Sequence, residues 1–428
     1  MKTTFLLLFL FVLCTQTNAS AQKTVDYYIQ QAIKHSPLIH EKQNRDTINQ
    51  LEIKRLKSVY LKPTISAIAN VFVAPVIESN NNKTRLILNP KDPIRYNGYD
   101  MSVSNGGQYQ ALLNISQPLF NKKNYNTVAE QTFIASKLNT YGIKLSKHDL
   151  EKTVIDQYIL CNIDQKQVHS TQEIVNLLNK QKDILTELTR SGIYKNSDLT
   201  LLKITLQTYL IQLSNFEANY HKYFFDLNIL CGINSKEIVN LQKISLHLKK
   251  EESSSLFIQK HKLDSLAITN QQKQFELKYL PQISLYANTG LNTSYSATIP
   301  HRLGTGFGIS LTYNLWDGHQ KNISRSKTKL LTESIAYYKR NFKSNNDIRK
   351  LKIKKQVTAY TEQILITNQQ LENYNTLINS YQKEMISGQL SIVNFITVLK
   401  NKVNAQLNLA LLNSQKQLLI NAYNYWNW

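Results

Sequence analysis

Apolar and polar positions alternate along Gly306 to Gly318. Phe307, Ile309, Leu311, Tyr313 and Leu315 occupy the odd positions, and Gly306, Gly308, Ser310, Thr312 and Asn314 the even ones. Successive strand side chains point to opposite faces, so this period of two predicts a strand with one apolar and one wet side. Trp316 closes the run, and Asp317-Gly318 reads as a turn. An earlier stretch repeats the pattern: Tyr109, Ala111, Leu113 and Ile115 oppose Gln110, Asn114 and Ser116. Each is preceded by another alternating run. Ile65, Ala67, Ala69, Val71 and Val73 follow Leu61-Lys62-Pro63, and Ile283, Leu285, Ala287 and Leu291 follow Leu280-Pro281. Strands are therefore expected at about 63–74, 108–119, 282–295 and 305–316. The link Asn80 to Gly107 is long and polar and Thr293 to Thr305 is short; both read as surface loops.

Elsewhere the breakers vanish. All eight prolines lie outside three stretches: Asn121 to Arg190, which holds only Gly142, Ile193 to Cys231, which holds no glycine, and His319 to Trp428, which holds only Gly388. Proline breaks a helix interior and glycine weakens it, so these stretches predict long helices. Apolar residues recur in them at three- and four-residue steps, as in Leu150, Val154 and Tyr158, which suits helix packing on helix. A helix from Asn121 to Arg190 would be about 100 Å long at 1.5 Å per residue, implying a bundle, rod or tube. The halves repeat in register. Phe120 and Trp316 end the two clean strands 196 residues apart, and Gly192 and Gly388 break the two helical stretches at the same spacing. The reading is a leader over 1–21, one structural repeat over 22–231 and a second over 232–428.

The N-terminus reads as a secretory signal. Lys2 supplies the charge, Phe5 to Leu13 the apolar core, and Ala19-Ser20-Ala21 the cleavage pattern, so the exported chain begins at Gln22. Cys14 follows Phe11-Val12-Leu13, whereas lipidation sites carry small residues there. Cys161 and Cys231 are too few for a disulfide framework, and the pattern leaves a bridge between them open. No later segment is long and apolar enough for a spanning helix, so a membrane role must come from strands. Four strands alone would leave edges unpaired in lipid, and barrels start at eight. If these strands are membranous, several chains must share one barrel.

At this point the chain resembles the outer-membrane efflux protein family, the TolC-type channel-tunnels. The resemblance rests on Asn114-Ile-Ser-Gln-Pro-Leu-Phe120-Asn121, Ser310-Leu-Thr-Tyr-Asn-Leu-Trp316-Asp317-Gly318, Tyr279-Leu-Pro-Gln-Ile-Ser-Leu285, and the turns around Ser191-Gly192 and Ser387-Gly388. It implies an α+β membrane protein: a homotrimer in which four strands per chain build one 12-stranded barrel above a long α-helical periplasmic tunnel. It implies a passive exit duct, at the bacterial outer membrane and reaching into the periplasm, for a tripartite efflux or type I secretion system. A periplasmic membrane-fusion adaptor and an inner-membrane pump of RND or ABC type would be its partners. Gly192, Ser197, Asp198, Gly388, Val393, Asn394 and Thr397 would form the periplasmic tip and aperture. Leu113, Ile115, Ile309, Leu311 and Tyr313 would face outer-membrane lipid. The family's tip turns often carry acidic residues; Asp198 fits the first, whereas Asn394 and Thr397 in the second are neutral.

Chemistry adds little. The nine histidines are scattered, no zinc pair or nucleophile elbow appears, and Gly304-Thr-Gly306-Phe-Gly308 runs into a strand instead of opening a helix. No enzyme activity, cofactor or metal is expected. The formal charge of +22 can mean a nucleic-acid partner. Here the lysines are spread along an exported chain, so a solvated helix surface is the better reading, with no nucleic acid. A periplasmic coiled-coil scaffold without membrane strands is the remaining alternative.

Overall fold

The computed structural model describes residues 23–80, 83–88, 96–99, 106–252 and 255–428. The secretory leader and Cys14 lie outside them. The elements are α1 (Val25–His35), α2 (Pro37–Leu61), β1 (Thr64–Val73), β2 (Val76–Asn80), β3 (Lys83–Ile87), β4 (Tyr96–Asn97), β5 (Gly107–Leu119), α3 (Lys122–Arg190), α4 (Asn196–Cys231), α5 (Leu256–Glu276), β6 (Gln282–Thr293), β7 (Leu303–Thr312), α6 (Gln320–Ile386) and α7 (Ile392–Trp426). The proline-free stretches become helices of 69, 36, 67 and 35 residues. The described residues divide into two compact units, those within 23–40, 144–255 and 344–428, and those within 41–143 and 256–343.

The first unit is helical and holds most of the buried apolar residues. One cluster, which includes Leu178, Leu185, Leu202, Met385, Phe395 and Leu399, joins α3, α4, α6 and α7. A second gathers Tyr28, Tyr158, Phe224, Leu227, Cys161 and Cys231. Both cysteines are free and fully buried, and burial pushes both thiols up in pKa, Cys231 to about 12. The terminal aromatic run packs down: His148 is sandwiched between the rings of Tyr425 and Trp428, at 4.7 and 4.5 Å. Burial lowers its pKa.

Residues 239–252, between α4 and α5, form an extended strap. Side-chain amides take the place of a neighbouring strand. Gln165 both donates to and accepts from the backbone of Leu241. Asn162 and Gln417 accept the N–H groups of Ile244 and Leu246, at 3.2 and 2.6 Å. Asn424 accepts from Lys249 and donates to the His247 carbonyl, and Asn427 does the same for Glu252 and Lys250. Beyond a single backbone bridge, Leu241 with Lys23, the segment would otherwise leave backbone groups without partners.

The second unit carries the sheets. The main one is antiparallel throughout, in the order β1-β5-β6-β7. Its helices are stitched by polar contacts. Asn270 of α5 donates to the Thr127 carbonyl of α3, Gln272 accepts from Ser324 of α6, and Glu276 takes a two-pronged grip from Arg325 at 2.7 and 2.8 Å. That grip holds the Glu276 carboxyl down to about 2.

Two sequence expectations change. The Asn80 to Gly107 link is more than a loop, because β3-β2-β4 form a small second sheet with Val76 fully buried. Strands of five and two residues are too short to show a period. The last strand, expected to reach Trp316, ends at Thr312, paired with Gln282. The next partner would be Pro281, which has no N–H to donate, so the ladder stops there.

Candidate functional site: the sheet faces and the two helix turns

Register carries the sequence period across the whole sheet. Ile65 lies beside Ile115, Ile115 beside Ala287, and Ala287 beside Phe307, so one row of one face is apolar from edge to edge. The next row, Ser66, Asn114, Asn288 and Gly306, is polar or small and belongs to the other face. The apolar side chains are bare: Leu113 is 53% exposed, Ile309 69%, Leu311 66% and Phe307 89%. Ile115 is exposed too. Tyr313 is exposed but lies one residue past β7, so it belongs to the apolar surface without belonging to the sheet. Among the described residues neither β1 nor β7 has a strand on its outer edge. A four-stranded sheet with an uncovered greasy face and two open edges is unfinished as a water-soluble structure.

The junctions between sheet and helices are built alike in both halves. Asn121 donates to the Tyr60 carbonyl, 3.1 Å away, and Asn314 to the Lys278 carbonyl, 2.8 Å away. Asp317 accepts from the Tyr279 hydroxyl and from the Lys321 N–H, which lowers its own pKa.

The helix turns also repeat. Gly192 has φ +77° and Gly388 φ +70°, the left-handed conformation that favours glycine. At the first turn the N–H of Ile193 reaches the Leu188 carbonyl and that of Gly192 the Thr189 carbonyl. At the second, Gln389 reaches Glu384 and Gly388 reaches Met385. Both are Schellman ends, in which a left-handed residue turns the chain so that orphan carbonyls are capped.

The two turns, 196 residues apart in sequence, sit side by side. The Tyr194 hydroxyl contacts the carbonyls of Met385 and Leu390 at 3.1 and 2.8 Å. A Cβ on Gly388 would lie 2.7 Å from the Ile193 methyl Cγ2, whereas Gly192 faces open space. Burial, and then the nearby Asp198 carboxylate, raise the Tyr194 phenol. The sequence does not single out Tyr194, since nothing local marks a tyrosine whose acceptors lie in the other repeat.

The remaining tip residues separate by environment. Ser197, Val393, Asn394 and Thr397 are exposed. The Thr397 hydroxyl donates to the Val393 carbonyl, one helical turn back. Asp198 is half-buried, and its carboxylate accepts the Lys195 backbone N–H at 3.2 Å, capping α4. A cap at that position also places negative charge at the positive end of the helix dipole.

No family model matches the sequence, and no curated protein does either. Solved structures do match in fold. CusC, described for its folding and transmembrane channel formation, aligns with a TM-score of 0.73 at 10% identity, over 95% of this chain and 92% of its own. The VceC outer membrane protein of Vibrio cholerae gives 0.69 at 12% identity, over 94% and 96%. The CmeC outer membrane channel of Campylobacter jejuni gives 0.68 at 11% identity, over 95% and 86%. The chain has the fold of these channels along nearly its whole length.

Proposed function

We propose that this chain is one protomer of an outer-membrane channel-tunnel, a passive exit duct for an efflux or type I secretion system. The observation that carries the reading is the unfinished sheet. Its apolar face suits lipid and its polar face suits water. Its open edges call for further copies of the chain, because an edge in hydrocarbon strands backbone groups that nothing can satisfy. Three copies would supply twelve strands and enclose a lumen; two would give eight, which side chains fill. The long helices would continue the duct into the periplasm. The turns at Gly192 and Gly388 would then meet a periplasmic adaptor coupled to an inner-membrane pump, with Asn394 and Thr397 lining the aperture. The fold shared with transmembrane channel proteins supports this reading.

Cross-linking and mass measurement of the detergent-purified protein test it. A trimer requiring detergent is the expected result; a well-behaved monomer in buffer alone overturns it.

A further inference from the structure

The four helix-linked ends of the main sheet lie on one side, because Thr64 pairs with Ser116, Leu119 with Ile283 and Gln282 with Thr312. Each of these ends carries lysine. Lys62 precedes β1, Lys122 and Lys123 follow β5, Lys278 precedes β6 and Lys321 follows β7. Lys62, Lys122 and Lys123 are exposed, and none has an ion pair among the described residues. In the second half, Glu276 is held by Arg325 and lies 3.8 Å from the Lys321 ammonium, and Asp317 accepts from Tyr279 and the Lys321 N–H. At the other end of the sheet, the described flanking residues 74–75, 106 and 294–302 contain Arg302 and no lysine, and the small sheet that follows β1 there carries Lys83 and Arg85, with Arg85 opposite Glu78.

Aromatic rings mark the same level. Phe120 has φ +55°, a conformation bulky L-residues seldom adopt, and is 87% exposed. Trp316, its counterpart in the second half, is 82% exposed. The Lys278 ammonium sits over the Phe275 ring at 4.0 Å.

We propose that these junctions form a collar that binds anionic phospholipid headgroups of the leaflet nearest the helices. The inference rests on the sheet spanning a bilayer as proposed above. Adjacent strands are about 4.8 Å apart, so four junctions spread the cations over about 15 Å in a row. A row of single charges matches an array of headgroups, whereas one free phosphate calls for convergent donors in a pocket. Lysine extends its ammonium from an apolar stem toward the headgroup layer, and exposed aromatic rings settle at the same boundary. Basic residues beside a membrane add attraction to anionic lipid, lysine by lysine.

The test uses the full mature protein in nanodiscs of phosphatidylcholine alone or with one third phosphatidylglycerol, followed by detergent extraction and native mass spectrometry of retained lipid. Phosphatidylglycerol should be retained about tenfold over phosphatidylcholine. The variant Lys62→Gln/Lys122→Gln/Lys123→Gln should lose most of that preference and bring the ratio close to one at low salt. The corresponding arginine variant should keep it, which separates lost charge from misfolding. Equal retention of both lipids by the unmodified protein overturns the collar. So does inorganic phosphate, if at matched ionic strength it displaces the bound lipid. Failure to enter bilayers of either composition overturns the membrane reading itself and the collar with it.

Discussion

Substituting alanine at the two turn glycines should cost different amounts, and the difference isolates one contact. Gly192 and Gly388 have nearly the same backbone, φ +77° and +70°. A residue with a Cβ pays about 1–2 kcal/mol to stay left-handed, offset in part by about 0.4–1 kcal/mol from a stiffer unfolded chain. Gly192→Ala, with nothing within 4 Å of the new methyl, should therefore destabilise the tip by about 1 kcal/mol. Gly388→Ala carries the same term plus a collision, since its Cβ would lie 2.7 Å from Ile193 Cγ2. Carbon contacts are comfortable at about 3.5–4.0 Å, so Ile193 must retreat by about 1 Å. It is half exposed and has room to do so, which puts the extra cost near the low end of overpacking, about 1 kcal/mol. Ile193→Ala removes the offending methyl, so the double variant should recover that increment, a coupling of about 1 kcal/mol. Hydrogen exchange over residues 188–199 and 383–395 in the assembled protein reads the local stability of each turn. Equal costs for Gly388→Ala and Gly192→Ala, or no coupling in the double variant, would mean that Ile193 does not crowd the Gly388 turn.

Leu113→Arg should reduce assembly by about 2–4 kcal/mol per chain if the site is near mid-membrane, while Asn114→Arg on the opposite face should be milder; comparable trimer yields from the two variants would contradict the facial assignment. Unmodified protein in planar bilayers should show little block by multivalent cations from the tip side, whereas Asn394→Asp should create it, because a threefold ring of carboxylates binds such ions. Strong block of the unmodified channel would place other residues at the aperture. Asp198→Asn should alter conductance less and weaken the α4 cap slightly, read as faster exchange at Lys195. Burial pushes the Asp164 carboxyl up to about 6 from 3.8. With the folded value above the unfolded one, the native state favours the proton, so Asp164 opposes folding increasingly as pH rises through that window. Asp164→Asn should raise the melting temperature at pH 7.5 relative to the parent, and the gain should shrink toward pH 4.

The faces of the main strands and the helix breaks were legible because each is a local pattern: period two in Phe307 to Leu311, and glycine where a helix must turn left-handed. The Asn80 to Gly107 segment was not, since pairs such as Glu78 with Arg85 give no apolar alternation. The early end of β7 depended on which residue would stand opposite Tyr313, and Pro281 could be identified there only once register was known. Tyr194 and the amides along the strap escaped for a different reason. Their partners are remote in sequence, as with Gln417 and Leu246, and an isolated glutamine or tyrosine in a helix carries no mark of its target.

The strap has a consequence for how this protein can change over time. Its route is specified by Gln165, Gln417, Asn424 and Asn427, which grip peptide groups common to nearly all amino acids. Much of the path of residues 241–252 is thus set from α3, α7 and the residue that caps α7. Substitutions at exposed strap sites such as Lys249 and Glu252 leave those grips untouched, so these positions are free to drift, whereas Leu241, packed in the core, and Glu251, ion-paired to Lys350 and Lys354, are not. Losing one amide, such as that of Gln417, frees only the peptide it holds, and a proline introduced at Leu246 or Lys249 would do the same by deleting the N–H being held.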